Sequence, residues 1–258
     1  MFTIVVANQK GGVGKTTTAI MLASSYQKSG KRTLLIDADP QANATDTYGA
    51  QIEGVATLYD VIIDDDRTDA AEAVQHMPMG DIIASDPLLG SGDARLSSEI
   101  NGMYRMSDAL APLKNSYDIV VIDTAPALNQ ILFNCLIAAD TVVVPVAADR
   151  YSIAGLAKLE ETVCAIRKHQ NPNLKIAGLL LTKFSGRTNL SKSARDALRD
   201  DACGIGSRLF TTEIRECVKC QEAQAHRQSL YDYAPSCTTA EDYMNFYKEL
   251  NESIGMAN

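Results

Sequence analysis

The sequence predicts an α/β protein with a mostly parallel, doubly wound sheet and helices on both faces. Three observations carry that expectation. Short, nearly unbroken apolar runs recur along the chain, as strands buried on both faces require. Helical patterns separate these runs and supply the crossovers that cover the sheet. Glycine- or aspartate-bearing loops follow three of the runs, and ligands of such sheets bind beyond the carboxyl ends of the strands. With 258 residues, 46% of them hydrophobic and 22% charged, the chain fits one large domain spanning residues 1–258.

Residues 2–7 read as the first buried strand, and residues 17–27 as a helix with Ala, Ile, Leu and Tyr on one side. Between them stands Lys10-Gly11-Gly12-Val13-Gly14-Lys15-Thr16. Glycines let successive N–H groups turn inward around an anion, in conformations that a side chain would obstruct. Lys15 then neutralises β- and γ-phosphates, the Thr16 hydroxyl ligates Mg²⁺, and the helix start adds its positive dipole end. Strand, glycine loop and helix together predict a P-loop NTPase fold, with Gly11, Gly12, Val13, Gly14, Lys15, Thr16 and Thr17 around the phosphates. The general motif is G-x-x-x-x-G-K-S/T; here Gln9 occupies the first glycine position, and a second lysine, Lys10, lies five residues ahead of Lys15.

Residues 33–37 form a second buried run ending in Asp37, and the polar loop after it carries Asp39. One of these carboxylates can serve a metal while the other faces attacking water. Helices are expected over residues 56–63 and 68–77, a short strand over 81–84, and helical stretches up to residue 114. Residues 118–123 are an apolar strand delivering Asp123, the Walker B arrangement in which the acid holds Mg²⁺ directly or through water. A valine-rich strand over 141–146, a helix over 153–169 and a strand over 174–182 follow. Helices over 189–202, 213–225 and 238–253, with a short strand at 208–210, complete the reading.

Several of these segments share a resemblance. K-G-G-V-G-K-T resembles the deviant phosphate loop of the ParA/MinD/nitrogenase-iron-protein superfamily of dimeric P-loop ATPases. Residues 37–45, D-A-D-P-Q-A-N-A-T, are similar to the D-x-D-P-Q-G-N-A-T segment of ParA proteins, with Ala42 where that family usually has Gly. Residues 123–129 resemble its second switch, Thr182-Lys183-Phe184 its adenine-contacting position, and residues 231–250 its C-terminal end. The likeness covers nearly the whole chain. It implies ATP and Mg²⁺ as cofactors, with Asp37 supporting the magnesium shell, Asp39 orienting the water and Thr182 at the adenine; ATP over GTP rests on it together with the lack of an N-K-x-D motif. It also implies that Lys10 reaches the nucleotide of a partner subunit in an ATP-dependent homodimer. A cation supplied in trans would couple phosphate binding to dimerisation, much as an arginine finger does.

The net charge of −8 argues against indiscriminate nucleic-acid binding by the whole surface. It hides an asymmetry. Residues 183–227 hold nine basic and six acidic residues, so this stretch is +3 and the remainder −11. Arg187, Lys192, Arg195, Arg215, Lys219 and Arg227 are the candidate contacts to DNA phosphates. The leading expectation is a ParA/Soj-like partition ATPase, weakly active alone, that binds double-stranded DNA without sequence preference and is stimulated by a ParB-like adaptor. The same mechanism serving another cargo is an alternative that the resemblance equally allows. A MinD-like membrane cycle is disfavoured because no Lys or Arg follows Lys248, whereas a surface-inserting helix is basic and amphipathic. An iron–sulfur carrier would use Cys217-Val218-Lys219-Cys220, but this pair lies on an expected helix, and no cysteine precedes Cys135.

No apolar run reaches about 18 residues, so no membrane span is expected. The first strand starts at once, leaving no room for a signal peptide. Six scattered cysteines suit a reducing compartment. The expected location is therefore the cytoplasm, and the resemblance implies association with the nucleoid. His76, His169 and His226 have no metal-ligand spacing.

Overall fold

One eight-stranded sheet runs through the computed structural model, in the order β3-β4-β2-β5-β1-β6-β7-β8. The structure describes residues 1–64, 66–147, 152–185, 189–204 and 207–256. The strands are β1 (Phe2–Val6), β2 (Thr33–Ala38), β3 (Val74–Met77), β4 (Gly80–Ile83), β5 (Ile119–Thr124), β6 (Thr141–Ala147), β7 (Lys175–Phe184) and β8 (Leu209–Arg215). Every neighbouring pair is parallel except β3 with β4.

Alternation along the strands builds two cores. Ile4 and Val6 of β1, Leu35 of β2 and Val121 of β5 face one side. There they pack with α1 (Lys15–Lys28), α2 (Asn43–Tyr48), α9 (Val218–Ala225), α10 (Leu230–Tyr233) and α11 (Thr238–Ile254). Val5, Leu34, Ile36, Val120 and Ile122 face the other side. Their cover comes from α3 (Leu58–Ile62), α4 (Leu89–Ser98), α5 (Arg105–Leu110), α6 (Gln130–Ala138), α7 (Ser152–His169) and α8 (Asn189–Gly204). β1 and β5 are neighbours, yet β1 leads into a helix on the first face and β5 into one on the second. Such a divergence opens a crevice at the strand ends, where ligands of these sheets bind.

Two helix expectations need correction, and the helices α2 and α6 were not expected. Residues 68–77, expected to be helical, contain instead the strand β3, joined to β4 by the two residues Pro78 and Met79. An open sheet edge offers Val74–Met77 a ladder to join, and the ladder prevails over helix propensity. The helix expected over 213–225 starts only at Val218, because β8 extends to Arg215. Glu249 of α11 accepts hydrogen bonds from the N–H groups of Thr211 and Thr212 at 2.6 and 2.8 Å, and Asp242 accepts from that of Arg215 at 3.0 Å. These long-range acceptors satisfy edge amides that would otherwise favour a helix. α6 and α2 have no counterpart among the expected helices. α6 is nearly all apolar, QILFNCLIA, and so has no helical stripe to detect; its start is capped by the Asn129 side chain, which accepts from Leu132 N–H at 3.0 Å.

Candidate functional site

The loop from β1 to α1 wraps a cavity of about 570 Å³ at the crevice mouth, a size suited to a nucleotide. Gly12 (φ 74°) and Gly14 (φ 83°) both hold left-handed backbone. A Cβ at Gly12 would meet nothing within 4 Å, so backbone angle, not space, calls for glycine there. Two threonine hydroxyls brace the loop and its strand. Thr182 at the end of β7 donates its hydroxyl toward Val13 O at 2.8 Å and Val146 O at 3.1 Å, and Thr124 donates to Val6 O at 2.9 Å.

Lys15 is buried, and its ammonium donates to Lys10 O at 3.1 Å. Burial lowers its pKa, while Asp123 and Asp39 pull it back up. Beneath the loop, Asp37 and Asp123 are register partners on adjacent strands, both fully buried. Asp37 is well held: Thr45 donates its N–H and its hydroxyl to one carboxylate oxygen, each at 2.8 Å, and Asp39 N–H donates to the other at 3.2 Å. Burial still pushes Asp37 up to about 6 against these hydrogen bonds. Asp123 differs. Neither of its buried oxygens has a hydrogen-bond partner, and burial followed by the Asp37 charge raises its pKa well above the usual range. The Thr16 hydroxyl is near enough to lower that pKa in part, but not in hydrogen-bonding geometry.

A buried carboxylate without a partner is costly unless a cation completes it. Hard oxygen donors from Asp123, Asp37 and Thr16 fit Mg²⁺. Among the described residues no cluster of three or more His, Cys, Asp or Glu is placed to hold a metal by itself. That suits Mg²⁺, which keeps several waters and shares phosphate oxygens with one or two carboxylates.

The sequence-derived site residues mostly converge. Gly11, Gly12, Gly14, Lys15, Thr16, Thr17, Asp39 and Thr182 line the cavity. Val13 is buried behind the loop. Lys10 is half-buried at the front of the loop, outside the cavity lining, and its N–H donates to Asn8 Oδ1 at 2.9 Å. Thr182 reaches the cavity, but its hydroxyl proton is directed to backbone carbonyls, so it braces the loop as well as lining the wall.

The four described candidate DNA contacts each make an ion pair. Arg187 and the side chain of Lys192 lie outside the described residues. Arg195 pairs with Asp196 and Glu213 (3.3 Å each), Arg215 with Asp242 (2.6 Å), Lys219 with Glu222 (2.7 Å) and Arg227 with Asp46 (3.0 Å). Arg215 also lines the nucleotide cavity.

Sequence reasoning missed the supports. Ser85 Oγ donates to Asp39 O at 2.7 Å, and Asn8 Nδ2 to Pro145 O at 2.7 Å. It also missed a whole wall supplied by β8, α9 and α11, including Gln224, Thr239 and Tyr243. Thr45 could have been found from its fixed place in the D-A-D-P-Q-A-N-A-T segment; the others have no local signal.

Fold and site together define a P-loop nucleotide-binding protein. A family model described as an AAA domain matches residues 1–176. The chain is 36% identical to the sporulation initiation inhibitor protein Soj of Bacillus subtilis, over 96% of this chain and 97% of that one. It is 35% identical to the chromosome-partitioning ATPase Soj of Thermus thermophilus, over 96% and 94%. An aspartate-to-alanine variant of Cyanothece McdA in complex with ATP superposes with a TM-score of 0.87 at 27% identity, covering 100% of this chain and 98% of that one. The chain belongs to the ParA/MinD-type P-loop ATPases. It is an ATPase with ATP and Mg²⁺ as its cofactors. Among the described residues no helix is long and apolar enough to cross a membrane.

Proposed function

We propose that this single ATPase domain, residues 1–258, closes into a homodimer on ATP, binds double-stranded DNA non-specifically in the cytoplasm and on the nucleoid, and moves a DNA cargo through a ParB-like adaptor that stimulates hydrolysis. The observation that carries the catalytic part is Asp123: a fully buried carboxylate with no partner, next to Asp37 and below a loop that presents Lys15.

In this reading the N–H groups of Gly11, Gly12, Val13 and Gly14 cradle the phosphates, and Lys15 neutralises their charge. Thr16, Asp37 and Asp123 would hold Mg²⁺, which when bound neutralises the β,γ-phosphate charge. Asp39 lines the cavity and is anchored by its own neighbours, which suits a group that orients water; Gln41 N–H donates to it at 3.0 Å. Lys10, at the loop's front edge, is the cation offered to a second subunit.

Partition is supported by the Soj likeness over nearly the full length of both chains. DNA contact is supported by the basic excess of residues 183–227, although the ion pairs of Arg195, Lys219 and Arg227 must open or be shared for phosphates to displace their carboxylates. The test is an ATP-dependent mobility shift of plain duplex DNA with wild type and Asp123→Asn. The wild type shifts DNA with ATP–Mg²⁺ and not with ADP, and the variant loses both hydrolysis and the shift. Hydrolysis without any ATP-dependent shift would leave an ATPase and remove the DNA reading.

A further inference from the structure

The nucleotide cavity has a second kind of chemistry in its wall. Cys217 and Cys220 both line it and are both half-exposed. Cys217 is the cap residue immediately before α9, and its side chain makes no capping hydrogen bond. Cys220 N–H donates to Cys217 O at 3.2 Å, closing a tight turn. Such a turn holds its first and fourth Cα atoms within about 7 Å, and a disulfide spans about 4.4–6.8 Å. The third nearby thiol, Cys237, is engaged at the start of α11, where its sulfur accepts from Ala240 N–H at 3.4 Å. A C-x-x-C pair at the start of a helix is the arrangement that dithiol redox sites use.

We propose that Cys217 and Cys220 form a redox modification site, a dithiol whose closure to a disulfide weakens ATP binding in the cavity they line. A low-molecular-weight disulfide such as oxidised glutathione is the oxidant. The Cys217 thiolate attacks one of its sulfurs, forming a mixed disulfide and releasing one glutathione thiolate. Cys220 then loses its proton and attacks Cys217 Sγ, forming the intramolecular disulfide and releasing the second glutathione. Two protein thiols are oxidised and one glutathione disulfide is reduced to two thiols. Burial, with the neighbouring Cys217 and Cys237, pushes the Cys220 thiol up to about 12, so Cys217 attacks first and Cys220 resolves.

The effect on ATP follows from what the turn carries. A disulfide fixes the dihedral across its sulfurs near ±90° and draws the two Cβ atoms to about 3.8 Å. That resets the first turn of α9. The same helix touches the phosphate-loop helix, where Gln224 Nε2 donates to Thr17 Oγ1 at 3.3 Å, and it presents Gln221 to the cavity. Movement of the two side chains at the turn therefore reaches the ATP site through one short helix.

The inference rests on the cavity being the ATP site, and the test separates the two. A fluorescent ATP analogue is titrated into full-length protein, first reduced with dithiothreitol and then equilibrated with oxidised glutathione, with peptide mapping of the disulfide. Failure of the reduced protein to bind would remove the ATP reading itself. Given binding, the expected result is a single Cys217–Cys220 disulfide and an affinity at least about fivefold weaker, restored by dithiothreitol. The oxidised-to-reduced ratio falls to one in Cys217→Ser and persists in Cys237→Ser, whereas Cys220→Ser halts at the Cys217–glutathione mixed disulfide, seen in the peptide map, and forms no intramolecular bridge. The proposal is overturned if no Cys217–Cys220 disulfide forms, or if it forms and affinity is unchanged or tighter.

Discussion

Ala42 shows how much one residue of the loop after β2 is asked to do. It begins α2 in left-handed backbone, φ 54° and ψ 34°, a region that favours glycine. Its N–H donates to Asp39 O at 2.8 Å, and its carbonyl accepts from Asp46 N–H at 2.9 Å, so the turn also fixes Asp39. The Ala-for-Gly departure noticed in the sequence thus falls on a position with a conformational demand. Ala42→Gly should relieve the strain and raise the melting temperature by about 2 °C, allowing for the greater chain entropy of glycine. Calorimetry measures it, and an unchanged or lower melting temperature would contradict the account. Lys10→Ala makes the opposite kind of prediction. It should melt with wild type and bind ATP as a monomer, yet fail to form an ATP-dependent dimer in light scattering. A variant that still dimerises normally with ATP would remove the role in trans.

Among elements, β8 depends most on its neighbours. It is an edge strand, and α11 supplies Glu249 and Asp242 to its amides. Burial raises the Glu249 pKa, but the hydrogen bonds from Thr211 and Thr212 outweigh it and leave the pKa below its ordinary value. A carboxylate held down in the folded state stabilises above its unfolded pKa, and that contribution is lost as pH falls through the folded value. Glu249→Gln should therefore melt below wild type at pH 7, with the gap closing as pH falls below about 4.5. Melting curves across that range decide it; a gap constant with pH would point to packing instead. The joint between α1 and the C-terminal helices is likewise made by hydroxyls: Thr18 with Tyr243 at 3.1 Å, Ser25 with Tyr231 at 2.7 Å, and Tyr26 donating to Asn251 at 2.7 Å. Tyr231→Phe should cost about 1 kcal/mol, because the Ser25 hydroxyl loses a buried partner, and denaturant titration measures it.

At the scale of the molecule, the charge asymmetry between residues 183–227 and the rest bears on assembly. Two subunits joined by ATP would present twice the basic segment, so DNA affinity of the ATP form should fall steeply with salt, by about tenfold or more between 50 and 200 mM. A salt-insensitive affinity in filter binding would exclude a phosphate-based contact. The nucleotide loop, Asp37 and Asp123 at strand ends, and the two-faced parallel sheet were all legible along the chain. They depend on local rules: glycines that free φ, apolar runs that need cover on both faces, and a carboxylate that ends a strand. β3, α6 and the start of α9 were not legible, since edge pairing, full burial and distant acceptors decided them. The same division holds in the site. The sequence alone determined that a glycine loop joins a buried strand to a helix and that two further strands end in Asp37 and Asp123, because each of these patterns is contiguous in the chain. Only the tertiary structure decided that Asp123 stays unpartnered, that four candidate DNA cations are paired, and that α9 with its two cysteines walls the cavity. Those outcomes depend on burial and on contacts between residues far apart in the chain, which no local pattern records.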